Sequence, residues 1–179
     1  MKDADASRHK AFVTDSRGHF CERYAADVLR WVIRLGGPHV QAEDVAQDVF
    51  AVALRRLDTF RGDSSERTWL FGLTRNVVNN ARRRAALRRF VGLDSLPEPP
   101  SPAPGPADEL EASERRLVVR RALSKLKTHH REALVLVDME GYTAREAGEM
   151  LHVPEGTINS RLHHARKAFA AALRREGIE

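Results

Sequence analysis

Six of the eight prolines in this chain of 179 residues fall between Pro97 and Pro106, in the stretch LPEPPSPAPGPAD. Proline fixes φ and removes a backbone donor, so a segment with proline at nearly every other position joins no helix and settles into extended polyproline II. The chain must therefore fold on either side of it, as residues 1–93 and 109–179 around a linker at 94–108. At about 3.1 Å per residue the linker spans roughly 45 Å as a semi-rigid spacer, which predicts two halves held apart. Two small helical units suit a chain of this length, and no internal repeat appears.

In the first half, Phe20, Tyr24, Val28, Trp31 and Leu35 recur at spacings of three and four, giving one helical stripe that stops at Gly36-Gly37-Pro38. A second helix, about Gln41 to Asp58, turns Val45, Val49, Ala53 and Leu57 inward, with Asp44, Gln47, Asp48, Arg55 and Asp58 on the outer face. Asp63 to Glu66 is spaced as a capping box for a third helix, whose inner arc is Trp69, Leu70, Leu73, Val77 and Ala81. Arg75, Asn76, Asn79, Arg82 and Arg83 gather on its opposite side and lead into ARRRAALRRF. Trp69 falls on the inner arc and reads as core, whereas Phe71 points outward and is the better candidate for stacking on a base.

The second half opens with Ala112, Val119, Leu123 and Leu126 on one helical face. HHREALVLVDME follows, too uniformly apolar for periodicity to decide helix or strand, although its place between helices favours helix. Thr143 and Glu146 then form a capping box for a short helix ending near Leu151, and His152-Val153-Pro154 breaks it. In the next helix Ile158, Leu162, Ala165, Phe169 and Ala172 define the buried side. Opposite lie Ser160, His163, His164 and Lys167, with Arg161 and Arg166 at the edges, placed to hold phosphates while the central donors reach base edges. A capped short helix, a tight turn with small Gly148 where the helices approach, and a protruding second helix make a helix-turn-helix suited to the major groove.

Composition agrees without deciding. Thirty Lys and Arg stand against 25 Asp and Glu, a modest surplus in which Arg predominates, and Arg suits phosphate and base edges. Cys21 is the single cysteine, so no intrachain disulfide or Cys-based zinc site is expected, and a packed or idle thiol is the reading. The eight histidines include the adjacent pairs His129-His130 and His163-His164; neighbours on a helix diverge by about 100°, and no metal site is expected. No apolar run reaches membrane-spanning length and MKDADASRHKAF lacks a signal-peptide apolar core, so the cytoplasm is the expected location, without membrane insertion. No compact carboxylate or His/Cys cluster has catalytic metal spacing, and no enzyme is expected.

The stretch VPEGTINSRLHHARKAF resembles the recognition helix of region 4 of bacterial extracytoplasmic-function (ECF) sigma factors, in the sigma-70 family. AEDVAQDVF and DTFRGDSSERTWLFGLTRNVVNNARRR resemble region 2 of the same family, in the right order and on the right side of a variable linker. The resemblance covers about Phe20 to Arg84 and about Leu110 to Phe169. His152 stands where the family usually has Gly, Gly148 where it has Ala, and Ala147 where it has a larger apolar residue.

The resemblance implies an all-α protein and a transcription initiation factor, non-catalytic and without cofactor or metal, in which region 2 occupies residues 1–93 and region 4 residues 109–179. Its partners would be promoter DNA and core RNA polymerase, the latter through the clamp coiled coil of the largest subunit and the flap of the second-largest. An anti-sigma factor is a further expected partner. Glu43, Asp44, Gln47 and Asp48 fall where region 2 docks on the clamp. Phe60, Arg61, Gly62, Asp63, Ser64 and Ser65, with Arg75, Asn76, Asn79, Arg82 and Arg83, match the segment that recognises and melts the minus 10 element. Glu155, Thr157, Asn159, Ser160, Arg161, His163, His164, Arg166 and Lys167 match the helix that reads the minus 35 element. The alternative is a helix-turn-helix regulator that binds operators without being a polymerase subunit.

Overall fold

The computed structural model describes residues 2–92 and 107–177, with side chains for 18–92 and 114–177. The linker expected at 94–108 lies for the most part outside the described residues, and the side chain of Ala112 wholly so. Helix α1 runs Lys2–Gly36, α2 Ala42–Arg56 and α3 Glu66–Phe90; α4 Ala107–Ser124, α5 Thr128–Leu134, α6 Ala144–Leu151 and α7 Glu155–Arg175 follow. A 3₁₀ turn at Leu57–Thr59 ends α2, and α5 runs on through a π-helical turn at Val135–Met139. Among the described residues there is no strand.

The predicted stripes are the buried ones. Phe20, Val28, Trp31 and Leu35 of α1 pack with Val45, Val49 and Ala53 of α2. Helix α1 stops where Gly37 takes φ +80°, a left-handed conformation that glycine adopts without strain. The start of α3 differs from the capping box expected at Asp63–Glu66: Ser65 is the cap, its Oγ accepting from the Thr68 amide at 3.1 Å. Asp63 has the Glu three residues on that a capping box asks for and Ser65 has Thr68 there instead, but Ser65, with extended backbone (φ −65°, ψ 150°) immediately before the first helical residue, is the one placed to cap.

Helix α3 also corrects the reading of Phe71, which is 1% exposed with its ring edge-on to Trp31 at 5.3 Å between centroids. Because α3 packs on α1 and α2 and also touches α6, its buried arc is wider than a single stripe, taking in Phe71, Thr74, Val78 and Ala85. An outward-facing aromatic for base stacking is therefore absent at this position.

HHREALVLVDME is helical, and its uniform apolarity reflects burial on several sides: Arg131 to Leu136 are all buried, with α7 packed along α5 and α1 reaching it as well. Arg131 sits within this run at 1% exposure. Its guanidinium donates to the carbonyls of Leu123 (2.6 Å), Ser124 (3.0 Å), Leu126 (2.9 Å) and, across the two halves, Leu35 (2.7 Å). Burial lowers its pKa to about 10, with neighbouring Arg82 adding to the effect and Glu132 opposing it, so the group remains a cation at neutral pH.

The halves are not held apart. One apolar cluster takes in Val28, Trp31 and Phe71 from the first half and Leu123, Leu134 and Val135 from the second. A linker's reach sets the largest separation that it permits, and burial of facing apolar surface favours contact. The seam carries an ionic network on Glu140, whose side chain is 2% exposed. Arg34 reaches its Oε1 at 2.5 Å, Arg30 the same oxygen at 3.3 Å, and Arg67 its Oε2 at 2.6 Å. Arg67 also donates to Asp27 at 2.9 Å and to the Tyr142 hydroxyl at 2.6 Å, while lying over the Trp31 and Tyr142 rings. At the far end of the seam, Arg120 donates to the carbonyls of Gly37 and Val40, both at 2.9 Å.

Candidate nucleic-acid interface

The helix-turn-helix is built from local interactions. At the start of α6, the Thr143 hydroxyl accepts from the Glu146 amide at 3.2 Å and the Glu146 carboxylate accepts from the Thr143 amide at 2.7 Å, a complete capping box. Those backbone and hydroxyl donors hold the Glu146 carboxyl below its ordinary pKa. His152 closes α6 in the left-handed conformation (φ 54°), and the Val153 amide donates back to the Gly148 carbonyl at 2.9 Å. Gly148 is required at that point, because a Cβ there would lie 2.7 Å from the Val153 carbonyl oxygen. Pro154 then leads into α7, whose first amides turn onto its carbonyl: Thr157 at 2.9 Å and Ile158 at 3.2 Å.

Helix α7 buries Ile158, Leu162, Ala165 and Ala172 and leaves a continuous polar face. Glu155, Asn159, Ser160, His163, His164, Arg166 and Lys167 are exposed, and Thr157 and Arg161 are half-buried at its borders. Arg166 is engaged within the chain by a two-pronged ion pair with Asp138, at 2.6 and 2.9 Å. Asn159, Ser160, His163, His164 and Lys167 lie exposed on the side of α7 away from its buried residues.

The other expected DNA segment is divided. Arg61, Gly62, Asp63, Ser64 and Ser65 are exposed, and Phe60 rests 5.1 Å from the Trp69 ring. Asp63, Ser64 and Ser65 of this loop, with Trp69 and Asn76, form one wall of a cavity of about 640 Å³, whose other wall is Tyr142, Glu146, Glu149 and His152 of the second half. Asn76 and Arg83 are exposed. Arg75, Asn79 and Arg82 instead turn into the seam: Asn79 donates to Glu132 at 3.0 Å, Arg75 lies 4.0 Å from the same carboxylate, and Arg82 donates to the Thr128 hydroxyl at 3.0 Å. A second groove of about 600 Å³ lies beside them, with Arg83, Arg89 and Lys125 in its lining.

Glu43, Asp44, Gln47 and Asp48 are all exposed on α2, with Asp48 3.8 Å from Arg84. Sequence reasoning missed the Glu140 network, whose partners Arg30, Arg34 and Arg67 lie far from it along the chain. It also treated the two histidine pairs separately, whereas the rings of His130 and His164 stack at 5.8 Å. Among the described residues no group of three His, Cys, Asp or Glu is placed to hold a metal, and no helix is long and apolar enough to cross a membrane.

Comparison with known proteins agrees with this arrangement. Residues 20–88 match sigma-70 region 2, and residues 116–169 match sigma-70 region 4. The ECF RNA polymerase sigma factor SigL of Mycobacterium tuberculosis is 33% identical over 159 residues, covering 88% of each chain. The RNA polymerase sigma-H factor of Pseudomonas aeruginosa is 32% identical over 164 residues, covering 84% of this chain and 82% of its own. In fold, the chain is similar to the sigma factor RpoE of Bartonella quintana, solved with the anti-sigma factor NepR, at a TM-score of 0.69 and 24% identity over 88% of this chain and 96% of that one. A helix-turn-helix, a capped region 2 helix with an exposed acidic neighbour, and these matches together place the chain in the ECF subfamily of the sigma-70 RNA polymerase sigma factors.

Proposed function

We propose that this sigma factor docks on core RNA polymerase through Glu43, Asp44, Gln47 and Asp48, and directs it to promoters by reading a minus 35 element with α7 and a minus 10 element with region 2. The observation that carries the reading is α7, with one side committed to the core and Ser160, His163, His164 and Lys167 projecting together from the other. Polar donors at that pitch meet successive base edges, while flanking Arg161 meets a phosphate. The cavity beside Asn76 and the loop 60–65 has room for an unstacked base.

Arg75, Asn79 and Arg82 are held by Glu132 and Thr128 in the closed arrangement, so their use on opened DNA requires the two halves to separate. An anti-sigma factor is the further partner in this proposal. The test is run-off transcription with holoenzyme reconstituted from core polymerase and this chain. Promoter-dependent transcripts are expected from the wild type and should fall at least about tenfold for Arg161→Ala/Lys167→Ala, given about 1–3 kcal/mol for the base-reading contact of Lys167 and the loss of the Arg161 phosphate contact besides. Undiminished transcription by that variant overturns the assignment of α7.

A further inference from the structure

The two histidine pairs form one row. His129 and His130 lie at the start of α5 with ring centroids 4.4 Å apart. His130 stacks on His164 of α7 at 5.8 Å, the planes 19° from parallel, and His164 meets His163 at 5.5 Å. His129, His163 and His164 are exposed and His130 is half-buried. Four imidazoles from two helices are thus continuous along the edge of the helix-turn-helix.

The charges that act on His130 are of one sign. Lys127 on the approach to α5 and Arg161 on α7 both act on His130, and Lys167 lies one turn beyond His163 and His164. From α3, Arg82 reaches Thr128, the residue before His129. The acid on this part of α5, Glu132, is turned the other way, toward Asn79 and Arg75 of α3. Burial and then the neighbouring His129, His164, Lys127 and Arg161 charges push the His130 imidazole below its ordinary pKa. The free protein therefore resists charging His130, and an anion laid beside it reverses that preference.

We infer that His129 and His130, with Lys127 and Arg161 and the His164 ring stacked beside them, form a proton-linked phosphate-binding site that grips the DNA backbone next to the bases α7 reads and takes up protons as it binds. This rests on the reading of α7 as the promoter-recognition helix, and it adds Lys127, His129 and His130 of α5, residues outside that helix. A phosphate only accepts hydrogen bonds, so it selects the imidazolium form, which donates from both ring nitrogens. Each proton taken up strengthens binding by up to about tenfold per pH unit lost. Each added phosphate contact also steepens the salt dependence by about 0.9.

The experiment measures binding of a promoter fragment by reconstituted holoenzyme between about pH 5.8 and about pH 7.8, across the range where an imidazole titrates, at fixed salt. Wild type is compared with His129→Gln/His130→Gln, His130→Lys and Arg161→Ala/Lys167→Ala; the ratio to wild type removes the polymerase's own titrations. Wild type is expected to gain at least about tenfold on acidification relative to the Gln pair, as one proton taken up requires. His130→Lys, a permanent cation, is expected to bind at the higher pH as wild type does at the lower. An identical pH response in the Gln pair, or no gain from His130→Lys at the higher pH, overturns the site. If Arg161→Ala/Lys167→Ala abolishes promoter binding while wild type shows no excess pH response, the histidine site fails and the recognition helix stands. If that variant binds normally, the underlying reading fails too.

Discussion

The Glu140 carboxylate, at the end of the π-helical turn, accepts a 2.6 Å hydrogen bond from Arg67 at the start of α3, and this contact joins the two halves of the molecule. Arg67 lies over Trp31 and Tyr142 at the same time, so the charge is held between aromatic faces from either half. Burial alone would raise the Glu140 carboxyl. The adjacent Trp31 indole and the Arg30 and Arg34 guanidiniums outweigh that and hold it below the usual carboxylate range. At this end of the seam one buried anion therefore gathers three cations of the first half onto the second.

Replacing Glu140 with Ala should open the molecule. Removing one partner of a buried ionic set leaves the others uncompensated and costs about 3–5 kcal/mol, here loaded on the closed arrangement. Small-angle scattering at neutral pH should give a larger radius of gyration for Glu140→Ala than for wild type, with helical circular dichroism retained. Because the folded pKa of Glu140 is depressed, its contribution is complete above the unfolded carboxylate value of about 4.3 and is lost as pH falls through the lower folded one. Wild type should accordingly keep its compact radius from neutrality down to about pH 5 and expand only below about pH 4; expansion at a higher pH would point to a different latch.

Much of this molecule could be read in the sequence because it is local. The Thr143–Glu146 box and the Ile158–Ala172 stripe depend on residues three and four apart, and those patterns survive any tertiary environment. Phe71 was misread because a helical wheel assumes one buried face, whereas α3 is covered from two directions. Glu140 was invisible for another reason: its partners Arg67, Arg34 and Arg30 are 73, 106 and 110 positions away, and no periodicity links them. Arg82 and Asn79 were legible as polar, but that they face α5 depends on how the halves meet.

Gly148→Ala should damage the helix-turn-helix, because the added Cβ would lie 2.7 Å from the backbone oxygen of Val153 and no flexible side chain is there to yield. A cost of about 1–3 kcal/mol is expected from such overpacking, read as a lower urea midpoint with unchanged m-value. His152→Gly should act in the opposite direction, since His152 holds φ 54° at the end of α6 and glycine meets no steric penalty there. A gain of about 1 kcal/mol, or several degrees in Tm, is the expected result.

Arg131→Lys should be nearly as harmful as Arg131→Met. Four carbonyls converge on the guanidinium from Leu35, Leu123, Ser124 and Leu126, and one ammonium cannot reach them all. Leaving buried carbonyls without donors costs about 1–3 kcal/mol each. Chemical denaturation should show losses of at least about 2 kcal/mol for both variants; a Lys variant as stable as wild type would contradict the geometry.

Free of DNA, the chain should lose stability as the solution is acidified through the histidine range. His130 is depressed in the folded state, so between its folded value and the unfolded value of about 6.5 the unfolded chain binds more protons, and stability rises with pH. His130→Gln should flatten that slope in thermal melts from about pH 7.5 to about pH 5.5, while a slope unaffected by the substitution assigns the titration elsewhere.

The last expectation concerns the polymerase. Glu43, Asp44, Gln47 and Asp48 occupy the exposed side of α2, whose buried side is Ala42, Val45, Val49 and Ala53, so charge reversal there leaves the core untouched. On this face Asp48 lies 3.8 Å from Arg84 with both side chains more than half exposed, a pair worth little to stability, and Glu43 acts at longer range on Arg120. If the acidic face meets a basic surface on the polymerase, Asp44→Arg/Asp48→Arg turns attraction into repulsion, and a like-charge juxtaposition at an interface costs several kcal/mol. Affinity for purified core enzyme should fall by about two orders of magnitude or more, with Tm within a few degrees of wild type. Because steering acts mainly on encounter, the loss should appear first in the association rate and should shrink as salt is raised. Fluorescence-detected binding of the labelled chain at two salt concentrations measures both; unchanged affinity in the double variant would remove α2 from the polymerase contact.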